Sequence, residues 1–217
     1  MKKNLISNKK KTTLFVALVL FLMFIGIVLN RAYQITPENH LVIASEMVKK
    51  NPIKAVRHFK YAANSKNEST RLLSYLHLAR LYHHGQDNFE ANIPKAVYYY
   101  EQAALHNSNE AYYKLALFYD AGDKVPENRE KAIDYMKKAA ATLPEAKYAL
   151  GVWMERGYMG KPNMDKVVQL YEEAAKAGVI NAIKSLIAIY QNGYGGFPRN
   201  IEWEYYWRDQ LKKKAIK

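Results

Sequence analysis

Between Leu72 and Lys214 the apolar positions recur in a block that returns about every 36 residues. Leu78-x3-Tyr82-x2-Gly85 comes back as Leu115-x3-Tyr119-x2-Gly122, as Leu150-x3-Met154-x2-Gly157 and as Leu186-x3-Tyr190-x2-Gly193, at spacings of 37, 35 and 36 residues. A second block follows each of the first three. Asn92-x2-Lys95-Ala96 runs on to Ala103-Ala104, Asn128-x2-Lys131-Ala132 to Ala139-Ala140, and Asn163-x2-Lys166-Val167 to Ala174-Ala175. A fixed period in the range of roughly 20 to 50 residues marks a repeat architecture.

Within the first block, Leu and Tyr four residues apart share one helix face, and Gly stands just beyond the end as a stop. The second block opens at Asn or a nearby Pro, both good helix starters, and closes on paired alanines small enough for neighbouring helices to approach closely. Helix–turn–helix hairpins are therefore predicted. No single hairpin can bury its apolar face alone, so the units must stack around a continuous core, which predicts an all-α fold, an α-solenoid. Asn51-x2-Lys54-Ala55 leading to Ala62-Ala63 reproduces the second block once more, whereas the helix expected before it, from about Glu38 to Lys50, lacks Leu-x3-Tyr-x2-Gly. Residues 38–66 read as a degenerate first hairpin and 67–217 as four clear repeats, about five in all. In the last repeat Trp203-Glu204 replaces Lys-Ala and Leu211-Lys212 replaces Ala-Ala, as expected of a cap whose outer face meets water.

The chain ahead of the repeats has a different pattern. Lys2, Lys3, Lys9, Lys10 and Lys11 make residues 1–11 a basic tail, and residues 12–30 carry no charge, with Leu14 to Leu29 apolar apart from one glycine. At 1.5 Å per residue this stretch reaches roughly 28 Å, close to the ~30 Å hydrocarbon core of a bilayer. It reads as a transmembrane signal-anchor helix, followed by a linker at 31–37. A cleaved signal peptide and a buried helix are the alternatives; the run ends Ile27-Val28-Leu29-Asn30-Arg31, without a small-x-small cleavage site. Five lysines before the span against Arg31 alone after it place the N-terminus in the cytoplasm, so a single-pass protein with its repeats exported, into the periplasm of a bacterium, is expected.

The pattern of the repeats resembles that of the Sel-one-like repeat family, relatives of the tetratricopeptide repeats, with units Ala-x3-Leu-x3-Tyr-x2-Gly, a loop, then Lys-Ala-x2-(Trp/Tyr)-Tyr-x2-Ala-Ala. Ala111, Leu115, Tyr119, Gly122, Lys131, Ala132, Tyr135, Ala139 and Ala140 follow it closely. The resemblance implies the fold and is silent on the task, because such repeats serve unrelated proteins. Some extracellular members staple each repeat with a disulfide; this chain has no cysteine and stands outside that branch.

Composition adds limits. Hydrophobic content of 49% with 24% charged residues is enough for a folded core. The formal charge of +13 includes the five N-terminal lysines and Arg31; from Ala32 onward 27 basic residues face 20 acidic ones, a net +7. Of these, Lys212, Lys213, Lys214 and Lys217 meet the negative end of the last helix. No nucleic-acid partner is indicated.

Catalytic and metal chemistry finds little support. Without cysteine there is no thiol nucleophile and no thiolate site. His77, His83 and His84 share one predicted helix, but no His-Glu-x2-His pattern occurs, and they read as exposed helix-end histidines. Gly193-Tyr-Gly195-Gly196 reads as an inter-helix loop, and Glu172-Glu173 as solvated acids. No enzyme activity and no cofactor are expected.

Binding is the remaining expectation. If the groove of the tetratricopeptide relatives carries over, exposed positions of each first helix line it: Arg80, His83 and His84; Tyr113, Leu117 and Asp120; Tyr148, Val152, Glu155 and Arg156; Lys184, Ala188 and Gln191. Eighteen tyrosines exceed packing needs, and some must be exposed. An aromatic edge of Trp203, Tyr206 and Trp207 is a second candidate surface. The expected function is a membrane-anchored scaffold or adaptor for a protein or peptide. An export-associated chaperone-like factor or a binder of cell-wall polysaccharide are the alternatives.

Overall fold

A computed structural model of the chain describes residues 19–24 and 36–215. Residues 19–24 are helical and exposed, and the rest of the apolar run, including Leu14 and Leu29, lies outside the described residues. Among the described residues no helix is long and apolar enough to cross a membrane.

Ten helices follow one another from Pro37 to Ala215: α1 (Pro37–Met47), α2 (Pro52–Ala62), α3 (Glu68–His84), α4 (Ile93–Ala104), α5 (Asn109–Ala121), α6 (Arg129–Ala140), α7 (Pro144–Glu155), α8 (Met164–Lys176), α9 (Ile180–Asn192) and α10 (Ile201–Ala215). Consecutive pairs form five hairpins, and each helix packs chiefly on its neighbours along the chain, as in a solenoid. No strand occurs among the described residues, only isolated bridges Gln86–Phe89 and Tyr194–Phe197 that tighten two inter-helix loops. The second of these is the Gly193-Tyr-Gly195-Gly196 loop. Helix α1 is shorter than expected: it ends at Met47, and the chain turns through Val48–Lys50 before Asn51.

Each element of the repeat pattern has a physical task. The asparagine side chain opening each second helix accepts a hydrogen bond from the backbone N–H three residues on: Asn51 from Lys54, Asn92 from Lys95, Asn128 from Lys131 and Asn163 from Lys166. Asn200 does the same for Trp203. These caps satisfy N–H groups that a helix start leaves without partners. The same asparagines tie back to the preceding helix, with the N–H of Asn92, Asn128 and Asn200 donating to the carbonyls of Tyr82, Tyr119 and Tyr190 at 2.6, 2.9 and 2.9 Å.

The lysine after each cap lies over the repeat tyrosine. Lys95 Nζ is 5.4 Å from the Tyr82 ring centroid and Lys131 Nζ is 4.9 Å from that of Tyr119. In the last repeat Trp203 takes the lysine's place and stacks on Tyr190, centroids 6.2 Å apart. In the third, Met154 stands where the tyrosine would be, and Lys166 donates to Gln169 instead.

Leu78, Leu115 and Leu186 are fully buried, each contributing about 1.5–3 kcal/mol relative to exposure. The alanines are where backbones meet: Ala55, Ala62, Ala96, Ala103, Ala111, Ala132, Ala139, Ala146, Ala174 and Ala182 are wholly inaccessible. Ser74 replaces the repeat's alanine in α3 and satisfies its buried hydroxyl on Thr70 O at 2.7 Å. Two buried clusters, one reaching from Ala44 to Leu170 and the other from Met164 to Trp207, meet at α7–α8, where Met154 packs on both. At this seam Gly151 leaves room for the Tyr171 ring; a Cβ there would stand 2.6 Å from its Cε1.

Candidate functional site

The first helices α3, α5, α7 and α9 are linked by their side chains. Arg80 of α3 forms a bidentate ion pair with Glu110 at the start of α5, its Nε donating to Oε1 at 2.7 Å. Tyr148 of α7 lies 3.4 Å, hydroxyl to hydroxyl, from Ser185 of α9. Asp120, near the end of α5, accepts from the Tyr158 hydroxyl beyond α7, and Arg129 lies 4.2 Å over that tyrosine ring.

Two open pockets lie on this row of first helices. One, of about 230 Å³, is lined by His77, Arg80, Leu81 and His84 of α3, the following Gly85 and Gln86, and Val48 after α1. The other, of about 300 Å³, runs between α7 and α9 and is lined by Glu155, Ser185, Ala188, Ile189, Asn192, Gly193 and Tyr194. Glu155 also accepts a 2.6 Å hydrogen bond from Tyr171, which holds its carboxylate at the pocket wall.

The expected groove residues are divided by these pockets. Arg80 and His84 enter the first, Glu155 and Ala188 the second. Arg156, Lys184 and Gln191 are exposed, Gln191 accepting from Arg208 of α10 at 3.2 Å. Tyr113, Leu117 and Val152 are half-buried and pack on the core. Burial pushes the Tyr113 phenol up. Tyr148 is half-buried as well, tilted against Tyr171 at 5.2 Å. Ser185, Asn192 and Tyr194 were not among the expected site residues. Positions 185, 188, 189 and 192 share one helix face, a spacing the sequence does contain, whereas Tyr194 belongs to a loop whose path only the folded chain defines.

Three expectations are corrected. Trp207 is not part of an exposed edge: it is 1% exposed and belongs to the core of the last repeat, while Trp203 and Tyr206 are 44% and 43% exposed. Trp203 and Trp207, four residues apart, lie only about 40° from each other around α10, so helical direction does not separate them; Trp207 is interior because the core of the last repeat packs around it. Nor are His77 and His83 simply exposed, whereas His84 is. His77 stacks on Phe59 at 4.8 Å and His83 meets Phe118 edge-on at the same distance, and burial lowers the pKa of both. Glu172 and Glu173 serve as inter-helix clasps, not free acids. Tyr190 donates to Glu172 at 3.1 Å, and Lys147 donates to Glu173 at 2.7 Å, which holds that carboxyl below the usual range.

Among the described residues no group of three His, Asp or Glu side chains converges as a metal site. The surface can offer shape, a few polar anchors and aromatic edges to a partner.

Among curated relatives, the alginate biosynthesis protein AlgK of Pseudomonas syringae pv. tomato is 30% identical over 126 residues, 58% of this chain and 26% of that protein. The chitin synthase regulator SKT5 of Saccharomyces cerevisiae is 33% identical over 101 residues, 45% of this chain and 14% of that one. The chain thus spans about a quarter or less of these relatives' length. Among solved structures, a Sel1 repeat protein from Oxalobacter formigenes superposes with a TM-score of 0.66 at 23% identity, over 82% of this chain and 73% of that one. The protective antigen c5321 of uropathogenic Escherichia coli, described as having an SLR fold, superposes at 0.73 and 19% identity, over 85% and 40%. Both show the fold. Residues 44–67, 72–108, 109–141 and 144–179 match the family model for the Sel1 repeat, which takes in the second helix of the degenerate first hairpin and more than half of the chain, and the chain therefore belongs to the Sel1 repeat family.

Proposed function

We propose that this protein is a non-catalytic docking scaffold, tethered to a membrane through residues 12–30 with its N-terminus on the cytoplasmic side, whose exported repeats hold a protein partner along the row of first helices. The pocket between α7 and α9 carries the binding reading. It joins an apolar floor of Ala188 and Ile189 to Glu155, Ser185 and Asn192, a mixture suited to a peptide segment with both apolar and hydrogen-bonding groups. The uncharged run after five lysines supports the tether and its orientation. Two relatives named for alginate biosynthesis and for chitin synthase regulation support a partner drawn from a polymer-synthesis assembly.

A photo-crosslinking residue placed at Ala188 in the full chain, and at Lys131 on α6 as a comparison, tests this reading in cells. One protein trapped from Ala188 and not from Lys131 is the expected result. Equal trapping at both sites would remove the groove from consideration, and many clients at Ala188 would favour the chaperone-like alternative. Oligosaccharide binding lost on changing Trp203 and Tyr206 would favour the polymer binder. A reporter active only outside the cytoplasm, fused after Lys217, should be active; inactivity would sink the orientation.

A further inference from the structure

The first hairpin is strongly basic, as the last one is, but it alone has a second helix without an acidic residue. Residues 36–67 contain six basic side chains, Lys49, Lys50, Lys54, Arg57, Lys60 and Lys66, against two acids, Glu38 and Glu46, both in α1. Helix α2 has no acid at all. Every other second helix has at least one: Glu101 in α4, Asp134 in α6, Asp165 in α8, Asp209 in α10.

Pairing sharpens the contrast. Seven later basic residues have a carboxylate partner within 4.0 Å: Arg80 on Glu110, Lys124 on Asp123, Lys138 on Asp134, Lys147 on Glu173, Lys176 on Glu172, Arg208 on Glu204 and Lys213 on Asp209. Among the described residues none of the six cations of the first hairpin lies within 4.0 Å of a carboxylate oxygen.

The exposed positions of α2 form one stripe. Ile53, Lys54, Arg57, Lys60 and Tyr61 are exposed, while Ala55, Val56, Phe59 and Ala62 are buried. At 100° per residue the five exposed positions fall within an arc of about 120° and extend about 12 Å along the axis. Three cations are thus flanked by an exposed isoleucine and an exposed tyrosine, the latter stacked on His40 at 5.0 Å. Unpaired cations interleaved with exposed aliphatic and aromatic groups match the anionic headgroup layer, where the charges meet phosphate and the apolar groups enter the boundary with the acyl chains.

Position in the chain points the same way. Six residues, 31–36, separate the uncharged run from Pro37, and even fully extended they reach only about 21 Å. A run embedded in a bilayer would therefore hold this hairpin close to the lipid surface.

We propose that the outer face of α2 lies on anionic phospholipid, so that the first hairpin is a membrane-contacting foot that sets the angle at which the solenoid leaves the bilayer. The proposal rests on the membrane-tethered reading above. A soluble polyanion shares the charge complementarity but gives no role to Ile53 and Tyr61.

The chain has no cysteine, so a fluorophore on Tyr61→Cys or, for comparison, Gln169→Cys in α8 is unique in the full-length protein. Both are reconstituted with vesicles of phosphatidylcholine alone or with added phosphatidylglycerol, followed by flotation and acrylamide quenching. Phosphatidylglycerol should reduce quenching at position 61 at least about threefold, in a salt-sensitive way, and leave position 169 unchanged. The added substitutions Lys54→Gln, Arg57→Gln and Lys60→Gln should abolish that protection.

Flotation with both lipids but equal quenching at position 61 would overturn the foot while leaving the tether standing. Flotation only with phosphatidylglycerol, with protection at 61, would overturn the tether and keep the foot. No flotation with either lipid would overturn both. Protection that survives the triple substitution, or that a soluble polyuronate gives and vesicles do not, would also overturn the foot.

Discussion

The Tyr119 hydroxyl donates a 2.7 Å hydrogen bond to Glu101 Oε1, fastening the first helix of one repeat to the second helix of the repeat before it. Two repeats on, Tyr190 makes the same bond to Glu172 at 3.1 Å. In the repeat between them the corresponding positions are Met154 and Lys137, so both partners change together and the bond is absent. Burial first, then the bond to Glu101, pushes the Tyr119 phenol up. Tyr119→Phe removes the donor while half-buried Glu101 regains water, so a loss of about 1 kcal/mol is expected in urea unfolding. A double-mutant cycle with Glu101→Gln should return a coupling of similar size, and a coupling near zero would show that the bond contributes nothing.

Trp203 and Trp207 should respond very differently to truncation. Trp207→Ala empties a fully enclosed site in the last repeat and should cost about 3–5 kcal/mol. Trp203→Ala removes an exposed ring stacked on Tyr190, for which a loss of about 0.5–1.5 kcal/mol is expected. Thermal midpoints of the two variants check the order, and equal losses would contradict the burial of Trp207.

Alkaline pH should weaken the fold in a defined window. Burial, the largest cause in each case, pushes the phenols of Tyr99, Tyr100 and Tyr190 up to about 12 from an ordinary value of 10.0. Unfolded, they ionise near 10; folded, they keep their protons until about 12. Because the folded state holds the proton more tightly, this contribution is complete below pH 10 and is lost as pH rises from 10 through 12. The midpoint should stay level from neutral pH to about 10 and then fall. In Tyr100→Phe, which removes a phenol with no accessible surface, the fall should be shallower; an unchanged slope would show that Tyr100 is not one of the responsible groups.

Much of the fold is legible in the sequence. The capping asparagines, the stop glycines and the leucine four residues before each tyrosine act within one or two helical turns, so their spacing alone places the helices and their inner faces. The site was less legible. Arg80 and Ala188 are recognisable as outward positions of first helices, but Tyr113 and Val152 occupy similar positions and are half-buried against the core. Helical periodicity gives a direction around one axis and does not say how far the adjacent helix advances across it.

That division follows from the range of the interactions. The sequence by itself determined the helix–turn–helix units, their number and the membership of α2 in a second-block series, because each depends on contacts within a repeat of about 36 residues. Only the tertiary structure decided that Glu172 and Glu173 are clasped by Tyr190 and Lys147, that Trp207 is interior, and that Ser185, Asn192 and Tyr194 join Glu155 around one pocket. Those outcomes depend on the offset between successive hairpins, a sum of small packing adjustments at alanine contacts and at the Gly151–Tyr171 seam.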